Sequence, residues 1–204
     1  MADALRAGLA RYLTPSQLAA LGAARVAIAG CGGLGSNVAL MLARSGVERF
    51  LLIDHDVVDA SNLNRQQFWP GDVGQPKVRT LADRLVRLNP HIQAEIRQLK
   101  LAGDNLPQLA GQCALWVEAL DDATAKAKFV EAVLGAGHRI VAASGIAGCG
   151  GPPMTLRHMG RLALVGDFVS DVADAPPLAP RVTQAAAMMA DVVLGWILDG
   201  VTTA

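Results

Sequence analysis

This chain of 204 residues has few cysteines, no excess of positive or negative charge, and no long apolar run. Its three cysteines, Cys31, Cys113 and Cys149, form no Cys-x-x-Cys pair, so we expect neither a disulfide framework nor a zinc site. Lys plus Arg and Asp plus Glu both number 18, which argues against nucleic acid or an anionic membrane as partner. The longest apolar stretch, 185–198, contains Asp191 and is shorter than the ~20 residues of a membrane span.

The composition is that of a folded protein. Hydrophobic residues make up 52% of the chain and charged residues 18%, so burial of apolar surface can outweigh chain entropy. The length suits one domain, 1–204, that buries roughly 70% of the surface its unfolded form exposes. The N-terminus lacks the continuous apolar core of a secretion signal, and the unpaired cysteines fit a reducing cytoplasm.

Segments typical of buried strands alternate with segments of helical period, which predicts a parallel sheet with crossover helices. Val78, Leu81, Leu85 and Leu88 recur at helical spacing, with Pro76 suited to the first helical position and Asn89-Pro90 ending the helix. The predicted strands cover residues 25–30, 50–54, 92–99, 114–120 and 139–144.

The last third of the chain has a different pattern. A Met159-Gly160 turn between two short strand-like segments predicts a hairpin added to the sheet. Residues 171–180 are predicted to form a loop that leads into an apolar helix over 182–198. The predicted fold class is therefore α/β: a Rossmann-like, mostly parallel sheet flanked by helices, with a C-terminal antiparallel hairpin extension.

A glycine-rich loop lies between the first predicted strand and the following helix. Gly30, Gly32, Gly33 and Gly35 lack side chains that would keep a phosphate from the helix N-terminus. Asp54 ends the next strand, a position from which a carboxylate accepts hydrogen bonds from ribose hydroxyls. These features predict a nucleotide site and fit NAD as well as ATP; the alternative is a tight turn without a ligand.

The segment after Asp54 favours ATP, because it brings polar and charged residues to the end of the second strand. Arg65 and Lys77 supply positive charge to hold a triphosphate and to neutralise a pyrophosphate leaving group. The alternative is that both are ordinary surface charges. The further candidate ligand-binding residues of this segment are Asp56, Ser61 and Asn62.

Asp121 follows the fourth predicted strand. The carboxyl ends of parallel strands face the ligand crevice, so Asp121 can approach the phosphates that Lys77 contacts. One carboxylate together with substrate phosphates is a usual ligand set for Mg²⁺, and Asp121 is the candidate magnesium residue. The alternative is that Asp121 or Asp122 caps the helix that starts near Ala123.

The motifs GCGGLGSN, DHDVVDASNLNRQ and VGQPK, together with the Asp121 region, resemble in order and spacing those of the ThiF, MoeB and HesA group of the ubiquitin-activating-enzyme superfamily. The resemblance implies an ATP-dependent enzyme, usually a homodimer, that adenylates the C-terminal carboxylate of a small ubiquitin-like sulfur carrier ending in Gly-Gly. By position, it makes Gly33 and the loop glycines nucleotide contacts, Asp54 the ribose ligand, Asn62, Arg65 and Lys77 phosphate contacts, and Asp121 the magnesium-associated carboxylate. Arg65, Lys77 and Asp121 are the candidate catalytic residues.

The chain also departs from the family pattern. Larger relatives carry two Cys-x-x-Cys pairs for zinc, which are not present here. Relatives also tend to have an N-terminal R-Y-x-R element, whereas here Leu13 and Thr14 follow Arg11-Tyr12. Arg11 or Arg6 is the candidate substitute for the missing arginine. Cys149 lies among glycines and is a candidate acceptor of the activated acyl group, although adenylation itself requires no cysteine. The apolar C-terminal helix suggests a homodimer, with intramolecular packing as the alternative; its apolar residues include Met188, Met189, Val192, Val193 and Trp196.

The chain resembles most the short ThiF-like members of the family, and this resemblance suggests the thiamine-pathway carrier ThiS as substrate. The alternatives are the molybdopterin sulfur carrier, a small-molecule or tRNA-linked carboxylate, a nucleotide-binding relative without catalytic activity, and an NAD-dependent oxidoreductase. ATP–pyrophosphate exchange and the relative affinities for ATP and NAD distinguish the last two from an adenylating enzyme.

Overall fold

The computed structural model describes residues 4–199; the predicted domain of 1–204 thus includes a few terminal residues outside the described range. Seven strands form one sheet in the order β3-β2-β1-β4-β5-β7-β6. The strands are β1 (Arg25–Ala29), β2 (Arg49–Ile53), β3 (Gln93–Arg97), β4 (Leu115–Glu118), β5 (Arg139–Ala143), β6 (Thr155–Met159) and β7 (Leu162–Gly166). The helices are α1 (Ala4–Leu9), α2 (Pro15–Ala23), α3 (Gly33–Arg44), α4 (Lys77–Leu88), α5 (Leu106–Ala110), α6 (Ala123–Gly135) and α7 (Ala179–Leu198).

Six strands run parallel and only β6 is antiparallel, paired with β7 at the sheet edge. The fold is therefore the predicted Rossmann-like sheet with a hairpin extension. Alternate side chains of the central strands β1, β2, β4 and β5 enter two apolar cores, as expected for a sheet covered on both faces. One core packs under α2, α3, α4 and α7, and the other under α5 and α6.

The helix boundaries differ slightly from those predicted. Helix α4 begins at Lys77, so Pro76 precedes the first helical residue instead of occupying it. Helix α7 begins at Ala179. Pro180 is tolerated in its first turn, because a backbone N–H at that position would have no helical partner. The predicted start at 182 was too late.

Helix α7 also corrects the expectation that the longest apolar stretch is too short for a membrane span. At 20 residues it is long and apolar enough to cross a membrane by length and composition, a test that core helices of soluble proteins also pass. In the structure its buried side packs mainly against α3, with further contacts to β5 and β7. The buried residues of α7 include Val182, Ala185, Ala186, Met189 and Val193.

Candidate functional site

A cavity of about 380 Å³ lies where β1 and β4 end. The chain passes from β1 to β2 on one side, whereas β4 lies on the other side of β1, so the strand order reverses here. Such a switch point leaves a crevice at the carboxyl ends of the strands, the usual ligand position in an open α/β sheet. The segments that follow β1, β2, β4, β5 and β7 all contribute to the cavity wall.

The conformation of the glycine loop depends on residues that lack side chains. Gly30 has φ +94°, and a Cβ atom there would lie 2.4 Å from the carbonyl oxygen of Ala119. Gly32 precedes α3 without any side-chain cap, so the first amides of the helix remain available to an anion. Gly35 has a different role: its Cβ would lie 1.8 Å from the Gly30 carbonyl oxygen, so its small size permits packing of α3 against the loop.

Acidic and basic groups meet after β2. Asp54 is buried and accepts hydrogen bonds from the backbone N–H groups of Cys31 at 2.6 Å and Asp56 at 2.8 Å, which joins the glycine loop to β2. Lys77 is also buried, and its Nζ donates to Asp56 Oδ2 at 2.8 Å. Partial burial raises the pKa of Asp56, but the hydrogen bond and charge of Lys77, with the charges of His55 and Lys100, together lower it more, so the pKa is below its ordinary value.

Arg65 reaches the cavity on a loop held against α3. The Asn37 side chain donates to the carbonyl oxygens of Gly33 at 2.6 Å and Arg65 at 3.0 Å. It also accepts a hydrogen bond from Gln67 Nε2 at 2.7 Å. The Arg65 guanidinium donates from Nη1 to the Ser61 carbonyl oxygen at 3.0 Å and to Asn64 Oδ1 at 2.7 Å, which leaves the Nη2 and Nε donors for an anion.

Asp121 and Asp122 have different surroundings. Asp122 is the N-cap of α6, where its carboxylate accepts the N–H of Ala125 at 2.6 Å. Asp121 is exposed, lines the cavity and, within residues 4–199, takes part in no hydrogen bond or ion pair. The predicted alternative of a helix cap thus applies to Asp122, and the Asp121 carboxylate remains available to a cation.

The structure brings most predicted site residues to one cavity: Gly30, Gly32, Gly33, Asp54, Asp56, Arg65, Lys77 and Asp121 line it. Gly35, Ser61 and Asn62 do not. The Ser61 hydroxyl donates to Asp59 Oδ1 at 2.6 Å, and Asn62 Oδ1 accepts the Asp59 N–H at 3.1 Å. Both belong to a short 3₁₀ turn that shapes the loop before Arg65.

Gln66 is a lining residue absent from the predicted set. It is 8% exposed, and its Oε1 is buried without a hydrogen-bond partner. An unpaired buried acceptor is costly unless a ligand or water supplies a donor. Its place directly after Arg65 in the NRQ motif was the signal available in the sequence.

A second charged pair was also absent from the predicted set. Glu118 ends β4 fully buried, and its carboxylate accepts from Lys126 Nζ at 2.6 Å and from the Leu120 N–H at 2.7 Å. Burial raises the pKa of Glu118 above its ordinary value, and Lys126 opposes that shift only in part. Lys126 lines both the cavity and an adjoining, largely apolar groove of about 660 Å³.

The sheet topology and the cavity at its switch point place the protein in the Rossmann-like α/β class. More specifically, the chain belongs to the ThiF family, whose model matches residues 6–198.

The chain is similar to two curated relatives from Escherichia coli. The sulfur carrier protein ThiS adenylyltransferase is 35% identical over 65% of this chain and 53% of its own length. The molybdopterin-synthase adenylyltransferase is 49% identical over 36% of this chain and 30% of its own length. The chain thus matches about half, or less, of each relative.

A crystal structure of Escherichia coli tRNA N6-threonylcarbamoyladenosine dehydratase in complex with ATP has the same fold. Its TM-score is 0.84, with 21% identity, and the match covers 97% of this chain and 95% of that chain. At that identity the likeness concerns the fold.

Proposed function

We propose that residues 1–204 form one adenylyltransferase domain that uses ATP to activate the C-terminal glycine carboxylate of a small ubiquitin-like sulfur carrier ending in Gly-Gly. The observation that carries the proposal is the meeting of Arg65, Lys77 and Asp121 in one cavity beside uncapped amides of α3. Membership of the ThiF family and the similarity to carrier adenylyltransferases support it.

In the proposed reaction an oxygen of the carrier carboxylate attacks the α-phosphorus of ATP. The bond to the bridging oxygen breaks, pyrophosphate leaves, and the carrier becomes an acyl-adenylate. The nucleophile belongs to the carrier, so the protein aligns the two substrates and neutralises developing charge. Arg65 and Lys77 serve the second task through donors not engaged with Ser61, Asn64 or Asp56.

The donor set fits Mg²⁺. Asp121 offers an unpaired carboxylate on the cavity wall, and a hard cation with one carboxylate and substrate phosphates is a common arrangement. Bound there, the ion would neutralise charge on the phosphates. We assign Asp121 as its protein ligand.

We further propose ThiS as the carrier. The similarity to the ThiS adenylyltransferase extends over 65% of this chain, against 36% for the molybdopterin-synthase enzyme. The higher identity of the shorter match, 49%, makes the molybdopterin carrier the necessary comparison in any test.

The test is intact-mass spectrometry of each carrier after incubation with the protein and Mg-ATP. We expect an AMP adduct on ThiS and none on ThiS that lacks its terminal glycine. An adduct on the molybdopterin carrier alone would contradict the assignment of ThiS, and no adduct on either carrier would contradict the proposed function. Calorimetric titration tests the nucleotide separately: tighter binding of NAD than of Mg-ATP would contradict the ATP assignment.

A further inference from the structure

The segments after β5 and β7 form the wall of the cavity on the side away from β2. Ser144 and Gly145 follow β5, and Ser170, Asp171 and Val172 follow β7. Asp54, Asp56 and Lys77 line the β2 side. Lys126 also lines the cavity near the end of β5, but its Nζ donates to Glu118 Oε2 at 2.6 Å and to the Ala143 carbonyl oxygen at 3.1 Å. Because the buried Glu118 carboxylate neutralises that charge, the β5–β7 side suits the backbone of an incoming acceptor tail better than the phosphates.

A buried ion pair connects the segments of this wall. Asp167 Oδ1 accepts the N–H groups of Val169 and Ser170, each at 2.8 Å, and Oδ2 accepts from Arg181 Nη2. Arg181 Nη1 and Nη2 each donate to the Pro152 carbonyl oxygen at 3.2 Å. The Asp167 side chain is 0% exposed and that of Arg181 is 8% exposed. One guanidinium thus joins the start of α7, the turn after β7 and the segment that contains Pro152.

The backbone around Asp167 is tightly constrained. Phe168 has φ +60°, a left-handed conformation that is uncommon outside glycine. A Cβ at Gly145 would lie 2.0 Å from Asp167 Oδ1, and one at Gly151 would lie 3.3 Å from the Arg181 guanidinium carbon. Strained residues of this kind persist only where surrounding contacts hold them, and they occur often at ligand sites.

We propose that Asp167 and Arg181 are positioning residues that hold Ser170, Asp171 and Val172 in the shape that accepts the carrier's C-terminal tail. The inference rests on the proposed function, because that function supplies the acceptor. Neither residue touches the nucleotide side of the cavity. Loss of the pair therefore weakens carrier binding and leaves ATP binding nearly unchanged.

The test measures the KM for ThiS in ATP–pyrophosphate exchange and the calorimetric Kd for Mg-ATP in the same variants. We expect Arg181→Met and Asp167→Asn each to raise the carrier KM about tenfold or more, because small misplacements of a substrate are costly. The Kd for Mg-ATP should change less than about threefold, because neither residue touches the nucleotide side of the cavity and the nucleotide stays in place. Arg181→Lys, which keeps the charge, should recover part of the loss, and the double variant should be no worse than the worse single variant.

Arg84→Met is the matched control. Arg84 also pairs with an aspartate, Asp72. The Nε atoms of Arg84 and Arg181 are both buried without a hydrogen-bond partner among residues 4–199, but neither Arg84 nor Asp72 lines the cavity. We expect this variant to lose stability and keep the carrier KM. An equal rise in carrier KM in Arg84→Met would show that general destabilisation explains the effect and would overturn the inference.

Hydrogen exchange of the Val169 and Ser170 amides provides a readout that needs no carrier. Both amides donate to Asp167, so we expect faster exchange in Arg181→Met and not in Arg84→Met. If the parent catalyses no carrier-dependent exchange of pyrophosphate, the proposed function fails. If the parent is active and the variants have an unchanged carrier KM or unchanged amide protection, the inference about Asp167 and Arg181 fails.

Discussion

Adjacent carboxylates at the start of α6 provide the sharpest comparison between single residues. Asp121 lines the cavity and has no hydrogen-bond or ion-pair partner in the described part of the chain, whereas Asp122 caps the helix through the N–H of Ala125. A change at the first residue should therefore affect chemistry, and a change at the second should affect stability.

We expect Asp121→Ala and Lys77→Ala each to lower carrier-dependent pyrophosphate exchange by about 100-fold or more, because both act on charge that develops in the transition state. Asp122→Ala should cost about 1 kcal/mol of stability through the lost cap and keep most of the activity. Circular dichroism is the folding control. Near-normal exchange in folded Asp121→Ala or Lys77→Ala would remove that residue from the site.

The three cysteines differ in accessibility. Cys31 and Cys113 are buried and Cys149 is exposed; Cys113 packs as a small residue of the core under α5 and α6. Burial, reinforced by the Asp54 charge, raises the pKa of Cys31 well above its ordinary value, and burial also raises that of Cys113. A protonated, buried thiol is a poor nucleophile.

We predict that a thiol reagent labels Cys149 in the folded protein and all three cysteines only after unfolding. We also predict that Cys149→Ser keeps carrier-dependent pyrophosphate exchange, since adenylate formation uses the carrier's carboxylate. Mass spectrometry after labelling and the exchange assay check the two statements. Loss of exchange in folded Cys149→Ser would contradict an adenylation step without a cysteine.

At the scale of elements, the features predicted from the sequence are those that a local pattern of residues determines. Strands β1 to β5 and the hairpin lie where apolar runs and the Met159-Gly160 turn place them, because burial on a pleated sheet and turn chemistry are local signals. The Asp167–Arg181 and Glu118–Lys126 pairs were not predicted. Each forms only when separate elements pack together, and a lone charge in the sequence does not reveal its partner.

The Asp167 turn makes stability depend on pH. Burial raises the pKa of Asp167, but hydrogen bonds from Ser170 and Val169 and the Arg181 charge lower it more, so the folded-state pKa is below its ordinary value. The unfolded chain then binds the proton first. The stability that this group contributes is present above about pH 4 and is lost as pH falls through the folded-state pKa.

We therefore expect the free energy of unfolding of the parent to fall more steeply than that of Asp167→Asn as the pH is lowered below about 4. Urea unfolding at a series of pH values measures both slopes. The control is Asp174→Asn, an exposed aspartate whose carboxylate makes no hydrogen bond within residues 4–199. Equal slopes for the parent and Asp167→Asn would contradict the assigned hydrogen bonds.

At the scale of the whole molecule, α7 serves mainly as core. Met189, Val192 and Val193 are buried against the same chain, and Met188 and Trp196 are half-buried. Most of the apolar surface that suggested a homodimer is thus covered within the protomer, as the alternative to that prediction stated. The homodimer remains a prediction, supported by the family pattern.

Sedimentation velocity at micromolar protein concentration tests the predicted homodimer. We expect a dimer in the parent, and a shift toward monomer in Met188→Asp if the remaining exposed part of α7 forms the interface. Thr183→Asp, a half-buried position near the start of the same helix, is the comparison variant. Sedimentation of the parent only as a monomer would contradict the dimer.

The central claim is that the cavity binds ATP and a carrier carboxylate together and forms an acyl-adenylate reversibly. ATP–pyrophosphate exchange with purified ThiS measures that reversal directly, since labelled pyrophosphate enters ATP only when the adenylate forms and reverts. The account predicts exchange that requires Mg²⁺ and the intact Gly-Gly end of ThiS, and that falls by about 100-fold in Lys77→Ala. The absence of exchange with both ThiS and the molybdopterin carrier, in folded protein that binds Mg-ATP, would contradict it.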